Sequence, residues 1–459
     1  MKEATHDDWA GKAVLVLGLG DTGLSCVRWL AEKGARLRGA DTREAPPALG
    51  AALEAVPGMR VDLGPFRSES LAGVDAVAAS PGVALREPIL REAVARGLEV
   101  VGDVEIFGRE VARSAPGARV IGITGTNGKS TVTALAGAMA RATGRRTVVA
   151  GNIGLPVLDA LAEAQASGHP DYYVIELSSY QLETTSSLAL ESAAMLNLSQ
   201  DHLDRYDSMQ AYADAKARIF LRCGTRVLNR DDPWSLGMGD ANAVTFGLGR
   251  PAGAAEWGVA DGWLVEGREP IVAIDELPVA GLHNAANALA AHALCRGAGL
   301  GGEPLARAIR EFRGLPHRVE RVAAARGVVF YDDSKGTNVG ATVAALAGMR
   351  ETVVLIAGGD GKGQDFSPLA PAVRAKARAV VLIGRDAPAL QSALAATGVA
   401  CVRAASMDAA VEAAFGLAAA GDAVLLSPAC ASLDMFASYR QRGEVFAAAA
   451  RALAARVEG

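Results

Sequence analysis

No stretch of the 459 residues reaches the roughly 18 consecutive apolar residues that a helix needs to cross a bilayer. The Ala-rich runs, such as Phe446 to Ala454, are short and carry charge. The amino-terminal MKEATHDDWAGK lacks the apolar core of a secretory signal, so a cytoplasmic protein is expected. Cysteine is scarce: Cys26, Cys223, Cys295, Cys401 and Cys430 are odd in number, scattered, and outside any metal-ligand spacing. They read as buried free thiols in a reducing compartment. Basic residues are not in excess, and a net charge of −5 offers no field for nucleic acid or an anionic membrane. An anionic ligand must then be held by local devices, helix N-termini and single Lys or Arg residues.

What is present is a soluble balance, 50% apolar and 21% charged, in a chain long enough for two to four domains. Short aliphatic runs end in Gly, Asp, Asn or Ser and are followed by Ala/Leu-rich amphipathic segments. That alternation predicts α/β architecture, parallel sheets covered by helices. It resets three times. The first unit opens at Ala13-Val-Leu-Val-Leu17 and has further strands near 36–41, 74–79 and 98–101. The second opens at Val120-Ile-Gly-Ile123, continues through Tyr172–Glu176, Ala194–Asn197 and Thr225–Asn229, and ends in helices near 282–298 and 303–311. The third opens at Gly327–Tyr331 and continues through 353–357, 379–383 and 423–427. Boundaries are expected near 107 and 314, giving domains 1–107, 108–314 and 315–459.

Gly122-Ile-Thr-Gly125-Thr126-Asn127-Gly128-Lys129-Ser130-Thr131 lies between a strand and a helix starting around Lys129. Glycines let backbone N–H groups curl around phosphate oxygens, and the helix N-terminus adds partial positive charge. Lys129 reaches β/γ-phosphates, and Ser130 or Thr131 offers a hydroxyl to Mg²⁺. The first glycine of the general phosphate-loop pattern is replaced by Ile123, so this is a variant with Gly at 122 and 125. Glu176 ends one strand, and Asp201-His202-Leu203-Asp204 follows another. Carboxylates at the carboxyl ends of parallel strands suit a metal ion and a phosphate. Alone, His202 reads as structural and the two aspartates as helix caps.

Gly18-Leu-Gly20-Asp21-Thr22-Gly23 follows the first strand, with Asp41 where a ribose-binding acid would sit. By itself this spells an NAD(P)-dependent oxidoreductase with an accessory nucleotide domain. The motif is weak, because any diphosphate is bound by the same amide geometry.

Several segments together resemble the Mur ligases. They are Thr124–Thr131, Gly151-Asn152-Ile-Gly-Leu-Pro156, Glu176–Leu182, Asn197–Tyr206, Leu282-His-Asn284-Ala-Ala-Asn287, Leu315-Pro-His-Arg318-Val-Glu320 and Asp332-Asp333-Ser-Lys335-Gly-Thr337-Asn338. Their order and spacing cover essentially the whole chain. Folylpolyglutamate synthases share the core motifs, so these alone leave the substrate open. Leu426–Phe436 with Arg440–Phe446 resembles the branch that adds D-glutamate to UDP-N-acetylmuramoyl-L-alanine. No Asp-Asn-Pro-Arg of the diaminopimelate-adding branch is present.

The resemblance implies three domains: a Rossmann-like UDP-binding domain, a central phosphate-loop ATPase-like domain and a Rossmann-like amino-acid-binding domain. It implies a ligase that uses ATP and two Mg²⁺ ions, acting as a monomer on small molecules without nucleic acid or membrane. Asp21, Thr22, Asp41, Thr42, Arg43, Ser80, Pro81 and Gly82 would hold the UDP group, with Asn152 and His202 near the reacting end. Gly125 to Thr131, Asn284, Asn287, Arg318 and Asp333 would hold ATP, and Lys335 the acyl phosphate. Thr337, Lys362, Ser432, Leu433 and Tyr439 would hold D-glutamate, Tyr439 standing where the family often has Phe. Ser130, Glu176, His202 and Lys216 would ligate metal, Lys216 as a CO₂-derived carbamate. From composition alone, Lys216 is a solvated lysine on an amphipathic helix spanning Gln210–Phe220.

Overall fold

The computed structural model describes residues 9–202, 205–240, 242–279 and 281–458; Leu203 and Asp204 lie outside them. Three sheets follow one another along the chain. The first is five-stranded and wholly parallel, with Ala13–Leu17 at its centre between Arg36–Asp41 and Ala76–Ala79, and with Arg60–Leu63 and Glu99–Val101 at its edges. Buried aliphatic runs with helical crossovers enforce that arrangement, because both faces must be covered.

The central sheet has nine strands. Within it Arg119–Thr124 lies between Tyr172–Glu176 and Leu190–Met195, parallel to both. Register pairs Ile123 with Glu176 and Thr124 with Met195, so three loops leave the sheet side by side. The strand expected at Ala194–Asn197 begins earlier, at Leu190, which leaves Asn197 in the loop past its end. Gly122 belongs to the strand and not to the phosphate loop: a Cβ there would meet Leu190 Cδ1 at 2.7 Å.

The alternating pattern misses an antiparallel meander, Glu256–Ala260, Trp263–Glu266 and Glu269–Ala273, at the edge of this sheet. Asp261-Gly262, both at positive φ (51° and 82°), closes the first hairpin in two residues, the signature of an Asp-Gly turn. Arg326-Gly327 does the same between Glu320–Ala325 and Val328–Asp332, adding an antiparallel strand to the third sheet. That sheet is otherwise parallel, with Val353–Gly358, Ala377–Ile383, Ala400–Arg403 and Ala423–Leu426.

Residue 107 falls inside a helix, Asp103–Ser114, whose apolar face joins the first and central sheets in one core. Phe107 meets Tyr173 edge-on at 5.2 Å, and both are without solvent exposure. Each such aromatic contributes about 2–3 kcal/mol. The opposite face of the central sheet is covered by Lys129–Ala142, Leu282–Gly297 and Glu303–Glu311. No helix among the described residues is long and apolar enough to cross a membrane.

Candidate active site

The strand Arg119–Thr124 delivers Gly125–Gly128 to the start of helix Lys129–Ala142. Gly125 and Gly128 adopt φ of +151° and +83°, conformations that a side chain disfavours. A Cβ on Gly128 would also lie 2.6 Å from Asn287 Oδ1, so the bare backbone is what admits Asn287. Asn197 Oδ1 accepts the Asn127 amide at 2.8 Å and fixes the loop. Lys129 folds back, Nζ donating to the Thr126 carbonyl at 2.8 Å. Burial lowers its pKa, opposed by Glu176 and Asp201.

Residues flanking the third sheet's first two strands reach this loop directly. Arg318 Nη2 donates to Ser130 Oγ at 2.8 Å, and Asn338 Nδ2 donates to Asn127 Oδ1 at 3.2 Å and to Asp201 Oδ2 at 3.3 Å. Val319, next to Arg318, sits at φ +51°, an outlier for a β-branched residue that stores about 1–3 kcal/mol of strain. Asp333 is buried, accepts a hydrogen bond from Ser427 Oγ at 2.7 Å, and is pushed up to about 7 by burial.

Two adjoining cavities result. The larger, about 470 Å³, is lined by Thr126 to Ser130, Asn152, Glu176, His202, Arg318, Lys335, Thr337 and Lys362. The smaller, about 230 Å³, is lined by Gly128, Thr131, Asn284, Asn287, Arg318, Asp333 and Lys335. A third cavity, of about 600 Å³, lies over the first sheet and takes in Asp21, Thr22, Asp41, Thr42, Arg43, Ser80, Pro81 and Gly82. Asn152 lines this cavity and the larger of the other two.

Glu176 passes a test for magnesium. Its Oε1 accepts Asn152 Nδ2 at 2.8 Å, while Oε2 is buried with no hydrogen-bond partner. A bare buried carboxylate oxygen beside a phosphate loop is a hard donor awaiting a cation. His202, at φ +56°, is held by Tyr180, whose hydroxyl lies 2.7 Å from Nδ1, leaving Nε2 free of that contact. Lys216 is not solvated. It is buried on helix Met209–Ala217, Nζ donating to Gly125 O at 2.8 Å and Thr124 Oγ1 at 3.3 Å. Burial lowers its pKa well below 10.5.

The residues expected around D-glutamate are only partly gathered. Thr337 and Lys362 line the larger cavity, with Lys362 at φ +51°. Ser432, buried, and Leu433, 70% exposed, stand apart from it. The Tyr439 ring carries Lys335 Nζ 4.0 Å from its centroid. Its hydroxyl faces Arg440 Nε at 3.4 Å. His202 lines the phosphate-loop cavity, not the one over the first sheet.

Asp41 argues against a dinucleotide at the first sheet. Both oxygens are taken: Oδ1 by the Arg43 amide and Nε, Oδ2 by the Leu19 amide and Arg43 Nη2. Little acceptor capacity is left for a ribose diol. The Arg43 hydrogen bonds hold Asp41 at about 2.

Tyr180, Asn338, Gln181 and Arg205 carry site geometry that sequence reasoning did not assign. Arg205 Nη1 donates to Pro81 O at 3.0 Å, and its guanidinium stacks over Tyr180 at 4.2 Å, tying the first-sheet loop to His202. Tyr180 and Arg205 stand within the motifs, but their partners lie far away in sequence.

A phosphate loop completed by cations from loops of the third sheet's domain, next to a nucleotide-sized cavity over the first, defines an ATP-dependent ligase architecture. Family models for the MurD-like N-terminal domain, the Mur ligase middle domain and the Mur ligase glutamate ligase domain match residues 12–102, 123–295 and 317–430, and the chain belongs to the Mur ligase family. It is 56% identical to the UDP-N-acetylmuramoylalanine–D-glutamate ligase of Methylobacillus flagellatus, over 95% of this chain and 96% of that one. The enzyme of the same name from Thiobacillus denitrificans is also 56% identical, over 97% of each chain. Among solved structures, UDP-N-acetylmuramate–alanine ligase of Thermotoga maritima shares the fold, with TM-score 0.60, 18% identity, and coverage of 96% of this chain and 99% of that one. Family membership sets aside the oxidoreductase reading.

Proposed function

We propose that the protein joins D-glutamate to the carboxylate of UDP-N-acetylmuramoyl-L-alanine, converting ATP to ADP and phosphate, as a cytoplasmic step of peptidoglycan precursor synthesis. The amino acid and acceptor follow the relatives named above. The observation that carries the geometry is Asn152, which lines both the first-sheet cavity and the phosphate-loop cavity. A substrate with its nucleotide over the first sheet would present its far carboxylate there.

A carboxylate reacts poorly with an amine because oxide is a poor leaving group. Transfer of the γ-phosphoryl group makes an acyl phosphate, and the amine then displaces phosphate through a tetrahedral intermediate. Positioning and charge neutralisation dominate the first step. Lys129 and Arg318 face the ATP phosphates, Asn284, Asn287 and Asp333 bracket the nucleoside, and Lys335 faces the acyl phosphate. Thr337 and Lys362 bind the amino acid's carboxylates, with Ser432, Leu433 and Tyr439 completing the pocket once it is occupied. Magnesium at Ser130 and Glu176, and a second ion at His202 and a carbamate on Lys216, would neutralise phosphate oxygens. The residues 1–107, 108–314 and 315–459 divide this work among UDP, ATP and amino acid, within one monomer.

Phosphate release measured with ATP, the UDP-muramoyl-alanine acceptor and a panel of amino acids tests the reading. D-glutamate should support turnover; equal turnover with L-glutamate or meso-diaminopimelate would overturn the assignment.

A further inference from the structure

His283 lies in the first turn of helix Leu282–Gly297 and lines the adenosine-sized cavity beside Asn284. Its ring lies in a slot between two glycines from different sheets' helices. A Cβ on Gly281 would come within 2.7 Å of His283 Cε1, and one on Gly348 within 2.6 Å of His283 Nδ1. The two glycine backbones are themselves close, a Cβ on either meeting the other's Cα at 3.2–3.3 Å. Gly348 ends helix Val339–Gly348 of the third domain and is not at positive φ, so its backbone conformation does not demand glycine. Only the approach of His283 and Gly281 does. Nδ1 is buried without a hydrogen-bond partner, and burial lowers the ring's pKa to about 4. A neutral ring therefore sits edge-on against a bare helix end. Ala341, Ala344 and Ala345 of that helix form the far wall of the same cavity.

We propose that His283, Gly281 and Gly348 form the seat that sets how closely the third domain's helix approaches the nucleoside cavity. His283 is thus a positioning residue for ATP, acting through the helix Val339–Gly348. The inference rests on the reading that ATP occupies this cavity, and it adds a residue pair across the domain seam that governs its fit. A methyl group at 348 would hold the helix off by tenths of an ångström.

The test uses the full chain with Gly348→Ala. KM for ATP should rise about tenfold, the equivalent of a modest overpacking. KM for D-glutamate should stay within twofold. Adding His283→Ala to Gly348→Ala should lower KM for ATP again by relieving the overlap, so the two changes are not multiplicative. An unchanged KM for ATP in Gly348→Ala, or a double variant whose loss is the product of the single losses, overturns the proposal. Should Gly348→Ala not fold, His283→Ala alone decides. A rise of threefold or more in KM for ATP, with D-glutamate unaffected, supports the seat; no change refutes it. A wild-type protein that forms no ADP at all instead sinks the ligase reading, a separate outcome.

Discussion

Replacing Lys216 by methionine removes an amine that the fold buries among neutral groups. Among the described residues its Nζ meets the Gly125 carbonyl at 2.8 Å, Thr124 Oγ1 at 3.3 Å, and the face of Tyr212 at 4.9 Å. Burial lowers the amine's pKa most strongly and Lys129 adds to it; Asp201 and Glu176 pull the other way without restoring it. The unfolded chain holds this proton up to about 10.5, the folded chain only to a lower pH. Between those limits the unfolded state binds more protons, so wild-type stability rises with pH by about 1.4 kcal/mol per unit. Methionine has no such slope. It does leave the Gly125 carbonyl without its donor, costing about 1–3 kcal/mol, but that cost is independent of pH. Urea unfolding of both proteins in CO₂-free buffer with chelator, at a series of pH values up to 10, isolates the effect as a difference of two curves. The difference should climb in favour of wild type as pH rises. Parallel curves would refute the argument that Lys216 is a buried, destabilised ammonium. The same variant should lose most phosphate release, and millimolar acetate should partly restore it to Lys216→Ala by standing in for a carbamate.

Gly128→Ala forces a side chain to φ +83° and onto Asn287 Oδ1, so ATP affinity measured by equilibrium binding should fall at least tenfold with the fold retained. Asp41→Asn loses a carboxylate held at about 2, against 3.8 when unfolded. Its contribution is present above 3.8 and lost as pH falls through 2; with Arg43 half exposed, the loss at pH 7 should be about 1 kcal/mol by urea unfolding, together with a raised KM for the UDP substrate. Lys362→Ala should raise KM for D-glutamate far more than it lowers kcat; a fall confined to kcat would remove Lys362 from the amino-acid pocket.

Local sequence was sufficient where chemistry and conformation coincide within a few residues. The Gly125–Ser130 loop, the Gly18–Gly23 turn and the buried parallel strands are spelled by glycine placement and aliphatic runs, and they appear where those patterns put them. Asp261-Gly262 shows that a hairpin was equally legible and was hidden only by the assumption of unbroken alternation. Lys216 marks the limit. Composition put it on the solvated face of its helix, and its burial comes from Thr124, Gly125 and Tyr212 packing around it once the strand and helix meet. The orphaned oxygen of Glu176, the grip of Tyr180 on His202, and the Arg318–Ser130 bond across 188 residues are likewise tertiary facts. Sequence carried the residue types and the strand ends that bring them to one crevice. Which atom is left without a partner, and which ammonium loses its water, depends on distances between segments that no local pattern encodes.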